Sequence, residues 1–568
     1  MLTKVTASTV IALSLLAGTA FAADIPDAGR LLRESTPPPT LAPPPKAPEI
    51  TAPTEPGKPS LPENVRVRIS GFSYTGNTVF TAKELDAVMA PVIGKEISLA
   101  ELERSVERIT QAYRAKGYFL ASAIIPPQAL KPDQPVLIRI LEGKLEKIDI
   151  KTQPPDTRTP KSLLERYSQR IATGKPVTGD ELTETALLVN ELPGIRARFL
   201  MEPGTQPGTT RAVLDVTEGK PYSVSLYSDN YGNYSTGYYR VGAGVDLYSP
   251  FHLGDQLSLQ GQSSTSGDSQ SAGISWSVPL SSSGTRLALD YSWVDYQLGR
   301  SFASLDAKGD AHQVSLTVTQ PLIRQSNLYL NGFISGEGKL LDDRITSSDQ
   351  INKRHSAGGQ AGITLYSTDT LLGGGSTSCG ITYTGGSLSF DNDSARSNDQ
   401  SSSGLHTEGV FNKISGSVSR SQNLYDSLSL YAAASGQWSD TNLDSSEQIS
   451  LGGPNAVRAY PVGEAGVDLG VISTLELRYL LPNLGSLPGR IQLAALFDHG
   501  YGEVNQSPLA SSSHNYRHLY GTGFGVNWQW DELVSLKSSV AWRMGELPTS
   551  DNAAGTKPTV YLQAVVRY

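Results

Sequence analysis

Residues 238–248 read YYRVGAGVDLY, and this stretch contains the pattern that determines the fold of most of the chain. Apolar side chains occupy every second position, and polar or small residues lie between them: Tyr239, Val241, Ala243, Val245 and Leu247 form the apolar set. Successive side chains of a β-strand point to opposite faces, so a strand here has one apolar and one polar face. The pattern recurs at 286–293 and 314–319, between Gly, Ser, Asn and Asp clusters that are typical of turns. We predict an all-β region of antiparallel strands over residues 220–568.

A soluble β-sandwich would show the same alternation. Three features favour a transmembrane β-barrel instead. They are the secretory signal described below, the long unbroken array of such segments, and the aromatic residues near strand ends. In such a barrel the apolar faces meet lipid, the polar faces line the lumen, and closure leaves no unpaired edge. At roughly 22 residues for each hairpin unit, the region predicts about 16 strands.

The amino terminus has the features of a secretory signal peptide over residues 1–22. Lys4 precedes an apolar run from Val5 to Ala17, and small residues follow around Ala22. A spanning helix needs roughly 20 consecutive apolar residues, and no stretch of the sequence supplies them. If the mature protein is in a membrane, it must therefore be a barrel.

Composition excludes several classes of protein and site. Cys379 is the only cysteine, which excludes an intramolecular disulfide and a cysteine-held zinc or iron–sulfur site. The formal net charge of −8 argues against nucleic-acid binding, because such proteins present a basic face to phosphates. No GxSxG, HExxH or Walker-type motif is present, Gly373–Ser376 is interpreted as a flexible turn, and the seven histidines are scattered. We therefore predict no enzymatic activity, no cofactor and no metal.

Two segments precede the first folded module. Residues 23–36 contain a short helix-compatible stretch, Pro26 to Glu34, and residues 37–65 are rich in proline. Closely spaced prolines favour an extended, semi-rigid linker. This linker is interpreted either as a solvated tether or as a recognition site for another domain.

Residues 66–143 and 144–219 form an internal repeat. Capping boxes, in which a hydroxyl and a carboxylate satisfy orphan N–H groups at a helix start, begin at Thr81, Ser98 and Thr178. Glu142-Gly143 and Glu218-Gly219 are equivalent landmarks at the ends of the two copies. The order of elements predicts two β-α-α-β-β modules in tandem.

Each module resembles a polypeptide-transport-associated (POTRA) domain, and Leu192-Pro193-Gly194-Ile195 resembles the usual signature of the second one. Such domains bind unfolded clients at an exposed sheet edge or along a helix. The resemblance implies client-binding surfaces around Leu192, Pro193, Gly194 and Tyr118. A passive spacer is the alternative.

The strongest local motif is LGGPNAVRAYP at residues 451–461, together with FDHG at 497–500. These motifs resemble those of two-partner secretion transporters, the haemolysin and filamentous-haemagglutinin transporter family of the outer-membrane assembly-factor superfamily. In that family the sixth extracellular loop folds back into the lumen, and its arginine pairs with an aspartate on the inner wall. Ala459 replaces the usual glycine of the loop motif.

The resemblance implies a lock between loop and barrel formed by Arg458, Tyr460, Asp498 and Gly500. An arginine–carboxylate pair away from bulk water can be bidentate and geometrically exacting. A solvated loop arginine is the alternative. The family also implies sixteen strands and an amino-terminal plug helix in the lumen, which the segment from Pro26 to Glu34 resembles.

The expected function is translocation of an unfolded partner protein from the periplasm through an outer-membrane pore, in two-partner (type V) secretion. Expected partners are a large β-helical adhesin, haemolysin or toxin and the lipid of the bacterial outer membrane, with the amino-terminal domains in the periplasm. Two alternatives are a barrel assembly factor, which usually carries more modules, and a passive porin or receptor, which predicts no modules and no loop motif.

Overall fold

The computed structural model describes residues 25–35, 50–51, 65–131, 134–206, 208–483, 485, 487–508, 515–550 and 558–568. The predicted signal peptide and most of the Pro-rich linker lie outside the described residues. The first described helix is α1, Ala28–Ser35, and residues of the linker form a short strand, β1, Ile50–Thr51.

The first module contains two helices and five short strands: β2 Arg66–Arg68, β3 Phe72–Thr75, α2 Ala82–Met89, β4 Glu96–Ser98, α3 Leu99–Ala115, β5 Ser122–Ile124 and β6 Val136–Leu141. Thr81 and Ser98 form the predicted capping boxes of α2 and α3. The apolar face of α3 packs on a sheet of order β3-β6-β5. This one-sided burial follows from the apolar stripe of the helix sequence.

The second module repeats the order with longer strands: β7 Lys144–Gln153, α4 Lys161–Ser168, α5 Gly179–Asn190, β8 Ile195–Pro203 and β9 Thr209–Glu218. Thr178 forms the predicted capping box of α5. The predicted β-α-α-β-β order requires a strand between α5 and β9, and β8 occupies that place. The sheet has the order β1-β8-β9-β7, so the linker strand adds to the module at the β8 edge.

Equivalent glutamates stabilise the two modules in the same way. Glu142 accepts hydrogen bonds from the backbone N–H groups of Thr78, at 2.5 Å, and Val79, at 3.0 Å. Glu218 accepts them from the backbone N–H groups of Arg158, at 2.9 Å, and Thr159, at 3.1 Å. Each carboxylate therefore ties the end of its module to an earlier loop, and this equivalence supports the internal repeat.

Sixteen of the strands that follow β9 form a closed antiparallel barrel. Its first half comprises β10 Tyr222–Asp229, β11 Arg240–Tyr248, β12 Gln256–Ser264, β13 Ser269–Pro279, β14 Arg286–Gln297, β15 Ala307–Arg324, β16 Leu328–Ile345 and β17 Gln350–Asp369. Its second half comprises β18 Gly375–Phe390, β19 Gly409–Tyr425, β20 Leu428–Ser439, β23 Leu469–Leu480, β24 Arg490–Glu503, β25 Tyr516–Trp530, β26 Val534–Arg543 and β27 Thr559–Arg567. A short helix, α6 Asp393–Asp399, and two two-residue strands, β21 Ile449–Ser450 and β22 Gly466–Val467, lie in loops. The predicted strand number is confirmed, and β10 closes the barrel by pairing with β27.

The alternating apolar residues lie on the outer face of the barrel. Val241, Leu289 and Leu316 expose 50%, 45% and 49% of their surface, respectively. A β-sandwich would bury this face, whereas a barrel in a bilayer presents it to lipid. The sandwich alternative is therefore wrong. Among the described residues, no helix combines the length and the apolar character that crossing a membrane requires.

Candidate functional site

A long loop, residues 440–468 between β20 and β23, folds back into the barrel lumen. Its buried residues Leu451, Val457 and Tyr460 form one apolar cluster with lumen-facing wall residues, namely Ile472, Leu496, Leu519 and Ala541. The strands β21 and β22 pair within the loop and give it the form of a hairpin. The loop therefore has its own apolar attachment to the wall.

Arg458, on this loop, lies against Asp498 of β24. Its Nε and Nη2 donate to the two carboxylate oxygens of Asp498, each at 2.8 Å, and its backbone N–H donates to Asp498 Oδ2 at 3.1 Å. Asp498 is 0% exposed and Arg458 is 8% exposed. The contact has the bidentate geometry that charge-assisted arginine–carboxylate pairs favour.

A second carboxylate completes the site. Arg458 Nη1 donates to Glu476 Oε1 on β23 at 2.5 Å, and Arg478 Nε donates to Glu476 Oε2 at 2.6 Å. Sequence reasoning did not find Glu476. The only available signal was its place among the polar alternate positions of a wall strand, next to Thr474 and Arg478, and this signal does not identify a partner.

Tyr460 and Gly500 lie in the same site. The Tyr460 hydroxyl donates to the Glu546 carbonyl at 2.9 Å, and the Tyr460 carbonyl accepts from the Tyr561 hydroxyl at 2.7 Å. A Cβ atom added at Gly500 would lie 2.9 Å from Val457 Cγ2. Glycine at this position therefore lets the loop lie close to β24. The four predicted lock residues are thus brought together.

Helix α1 lies in the lumen, beside β14 and β15. Leu31 and Leu32 are buried in a cluster with Val294, Tyr296 and other wall residues. Arg30 Nη2 donates to the carbonyl of Gly463, on the loop, at 2.6 Å. The helix predicted from Pro26 to Glu34 is therefore present, and it contacts both the wall and the loop.

The expected client-binding residues do not form one surface. Leu192 is buried, and a Cβ atom added at Gly194 would lie 3.3 Å from the Tyr248 side chain at the edge of the barrel. Tyr118 lies in the first module, with its ring 6.3 Å from that of Tyr113. Residues 192–194 therefore lie at the junction of the second module with the barrel, and client binding around them stays a prediction.

No group of three or more His, Cys, Asp or Glu side chains in the described part of the chain is placed to hold a metal ion. His499 and His518 contact one another, Nε2 to Nε2, at 2.9 Å on the outer face of neighbouring strands. His514 lies outside the described residues.

Comparison with known families identifies the class of protein. The family described as haemolysin secretion/activation protein ShlB/FhaC/HecB matches residues 208–528, more than half of the chain. The chain belongs to this family. A second family, the POTRA domain of ShlB type, matches residues 67–143, which correspond to the first module.

Relatives of the ShlB/FhaC/HecB class match over most of the chain. A heme/hemopexin transporter protein HuxB from Haemophilus influenzae (strain 86-028NP) is 27% identical over 468 residues, which are 82% of this chain and 81% of HuxB. The outer membrane transporter CdiB of Dickeya dadantii (strain 3937) is 25% identical over 496 residues, 83% of this chain and 81% of CdiB.

Solved structures have the same fold. CdiB from Escherichia coli aligns with a TM-score of 0.70 and 20% identity over 95% of both chains. BamA from Haemophilus ducreyi lacking POTRA domains 1–3 aligns with a TM-score of 0.51 and 16% identity, over 88% of this chain and 100% of that one. At these identities the likeness shows the fold alone.

Family membership and architecture together give the general function. The protein is a two-partner secretion transporter of the outer membrane, with its amino-terminal modules in the periplasm, and it translocates a partner protein. Family membership favours this function over both alternatives, the barrel assembly factor and the passive porin or receptor.

Proposed function

We propose that the loop of residues 440–468 and α1 close the resting pore, that Arg458 and Asp498 lock the loop, and that an extended partner chain bound at the second module enters the lumen. The exported partner is a large β-helical adhesin, haemolysin or toxin, and the apolar outer face of the barrel contacts outer-membrane lipid. Folding of the partner outside the cell gives the direction of transport.

The observation that carries the lock is the buried arginine between two carboxylates. Removing Arg458 would leave Asp498 and Glu476 without their main cation in a site that excludes most water. Breaking a buried ion pair by removing one partner costs about 3–5 kcal/mol, because an uncompensated charge remains. The loop therefore has a strong preference for this position as long as all three side chains are present.

The observation that supports capture at the second module is the linker strand β1. It pairs in parallel with β8, with Ile50 opposite Phe199 and Thr51 opposite Leu200. This edge accepts an extended chain through backbone hydrogen bonds, which depend little on side-chain identity. An unfolded partner would bind there by displacing the linker, so capture of the partner and release of the segment that follows α1 would be coupled.

The experiment is export of the candidate partner in cells that contain the wild type, no transporter, or Arg458→Ala. Surface protease sensitivity of the partner is measured, together with the amounts of other outer-membrane barrels. We expect export to require the protein and to fall about tenfold or more with Arg458→Ala, while the barrel still reaches the membrane.

Arg420→Ala is the matched control, because Arg420 also pairs with a carboxylate, Asp369, at 2.8 Å, but is partly exposed on β19 outside the loop site. We expect its export to equal that of the wild type. Normal export with Arg458→Ala would remove the lock from the mechanism. Loss of other barrels with normal partner export would replace secretion with barrel assembly.

A further inference from the structure

Residues 444–448, near the start of the lumen loop, support helix α1. Ser445 Oγ donates to Asp27 Oδ1 at 2.7 Å, and Arg33 Nη1 donates to the carbonyls of Ser445, at 2.7 Å, and Gln448, at 2.5 Å. A Cβ atom added at Gly29 of α1 would lie 2.6 Å from Ser445 Oγ. The helix therefore lies directly on residues 444–448, which we name the seat.

Glu447 attaches the seat to the barrel wall. One carboxylate oxygen accepts from Lys339 Nζ of β16, and the other lies 2.7 Å from Lys413 Nζ of β19. Lys413 Nζ also donates to the backbone carbonyl of Glu447 at 3.0 Å. Glu447 is 2% exposed and Lys339 is 7% exposed, so this cluster of charges is shielded from water.

Asp444 attaches the other end of the seat. Arg354, on β17, donates through Nε to Asp444 at 2.6 Å, through Nη1 to Asp343 of β16 at 2.6 Å, and through Nη2 to Asp27 beside α1 at 2.8 Å. One guanidinium thus joins the seat, the wall and the start of α1. Arg354 contacts the segment of α1 only at Asp27. Glu447 instead fixes the part of the seat that Arg33 contacts.

The seat attachments are separate from the Arg458 site. Arg458 contacts β23 and β24, whereas Glu447 contacts β16 and β19, which lie five strands and two strands away from β23 around the barrel. Among the described residues, the two side chains share no hydrogen-bonding partner. Each attachment can therefore be lost while the other is retained.

We infer that Glu447 is a positioning residue which, through Lys339 and Lys413, holds the seat to the wall and thereby retains α1 in the lumen, independently of the Arg458–Asp498 lock. Two ammonium groups converge on its carboxylate in a buried site, a geometry in which loss of the anion leaves both cations uncompensated. The plug helix and the loop tip are accordingly controlled by different ion pairs. Retention of α1 by Glu447 does not require that the Arg458–Asp498 pair locks the loop.

Two reporters on the whole protein distinguish helix from loop tip. In a Cys379→Ser background, Ala28→Cys places a thiol at a position that is 0% exposed in α1, so its rate of reaction with a polar maleimide measures release of the helix. Arg458 is the only Lys or Arg between residues 440 and 468, so tryptic cleavage after it measures release of the loop tip. Both are measured on purified protein in lipid nanodiscs.

With Glu447→Gln we expect the maleimide reaction to accelerate about tenfold while tryptic cleavage at Arg458 changes less than about twofold. Asp498→Asn should give the opposite pattern. Glu337→Gln is the matched control, because Glu337 lies 3.5 Å from Lys339 but belongs to the wall, and it should leave both rates unchanged. If Glu447→Gln does not reach the membrane, Lys413→Gln removes half of the attachment and provides the same test.

Three results would overturn the inference. An unchanged maleimide rate with Glu447→Gln would mean that the seat does not retain the helix. Equal acceleration of both reporters would mean that seat and loop tip are one unit. The triple variant Glu447→Gln, Lys339→Met, Lys413→Met removes the two lysines as well. We expect its maleimide reaction to remain fast. A return to the slow rate would mean that the uncompensated charges of the lysines, and not the loss of the attachment, had released the helix.

Discussion

A single arginine side chain at the loop tip, Arg458, makes contacts that no other side chain could reproduce. Its three nitrogens satisfy two carboxylates on neighbouring strands, and its backbone N–H adds a further bond to Asp498. Lysine carries the same charge but has one nitrogen and no planar fork, so it could not reproduce this geometry. The specificity of the site therefore depends on the shape of the guanidinium as well as on its charge.

The sequence identifies part of this site through a resemblance to a family. Residues 451–461 and 497–500 resemble the loop and strand motifs of that family, and this resemblance implies the pair of Arg458 and Asp498. Glu476 is one of the polar alternate positions of the wall strand β23, and the seat residue Glu447 lies in a polar part of the loop. Nothing in the spacing of either residue distinguishes it from its polar neighbours. Their importance comes from burial against residues of distant strands, which only the three-dimensional structure reveals.

Glu142 gives the first module a defined dependence on pH. Burial alone would raise the pKa of this carboxyl, but hydrogen bonds from Thr78, Val79 and Tyr113 outweigh burial and lower its pKa below the ordinary value. A carboxyl with a lowered pKa in the folded state contributes stability above its unfolded-state pKa. That contribution is lost as the pH falls through the folded-state pKa.

We predict that Glu142→Gln lowers the free energy of unfolding of the first module by about 1–3 kcal/mol at neutral pH, because the amide cannot accept all of these hydrogen bonds. The difference from the wild type should shrink on acidification, since the wild-type carboxyl then becomes protonated too. Urea unfolding followed by the helical band of far-ultraviolet circular dichroism measures it. Glu96→Gln changes an exposed carboxylate of the same module and should not alter the free energy of unfolding. If Glu142→Gln and the wild type still differed in free energy of unfolding at acidic pH, the ionised Glu142 carboxylate would not be the cause of the difference.

At the scale of elements, alternation predicts the barrel strands well because the bilayer and the lumen impose opposite polarity on the two faces. Capping boxes predict three of the four module helices, α2, α3 and α5, whereas α4 has none. Two strands of the modules, β1 and β4, were not predicted. Strand β1 has two residues in a proline-rich linker, and its pairing with Phe199 and Leu200 is a tertiary contact that local sequence does not encode.

The close approach of the lumen loop to β24 gives a prediction at Gly500. Gly500→Ala adds a Cβ that would lie 2.9 Å from Val457 Cγ2, and this crowding should destabilise the docked loop by about 1 kcal/mol. Tryptic cleavage after Arg458 should then rise about fivefold.

Gly525→Ala is the control for Gly500→Ala. Gly525 lies on the neighbouring strand β25, and an added Cβ there would make only ordinary contacts, of which the shortest is 3.5 Å to the Ser538 carbonyl. Its rate of cleavage should match the wild type. Equal cleavage of Gly500→Ala and Gly525→Ala would mean that packing at Gly500 does not position the loop.

At the scale of the whole molecule, the second module must stay in a fixed relation to the barrel if a chain bound at β8 is to enter the pore. Leu192 lies near Gly254, and Leu188 lies near Gly284, in the turns that join barrel strands at the end where the modules attach. Glu191, at the end of α5, pairs with Arg324 of β15. Arg324 is 9% exposed, so its side of this ion pair is largely shielded from water.

We predict that Glu191→Gln loosens the second module from the barrel, because it removes the only carboxylate paired with Arg324 among the described residues. Pulsed electron spin resonance between spin labels on α5 and on a barrel turn should show a broader distance distribution, and export should fall several-fold, as expected for a loss of about 1–2 kcal/mol. Glu184→Gln is matched on the same helix, since Glu184 pairs with Arg170 at 2.6 Å on the exposed side of the module; it should leave distances and export unchanged. A broader distribution with full export would separate module position from transport and place entry of the partner chain elsewhere.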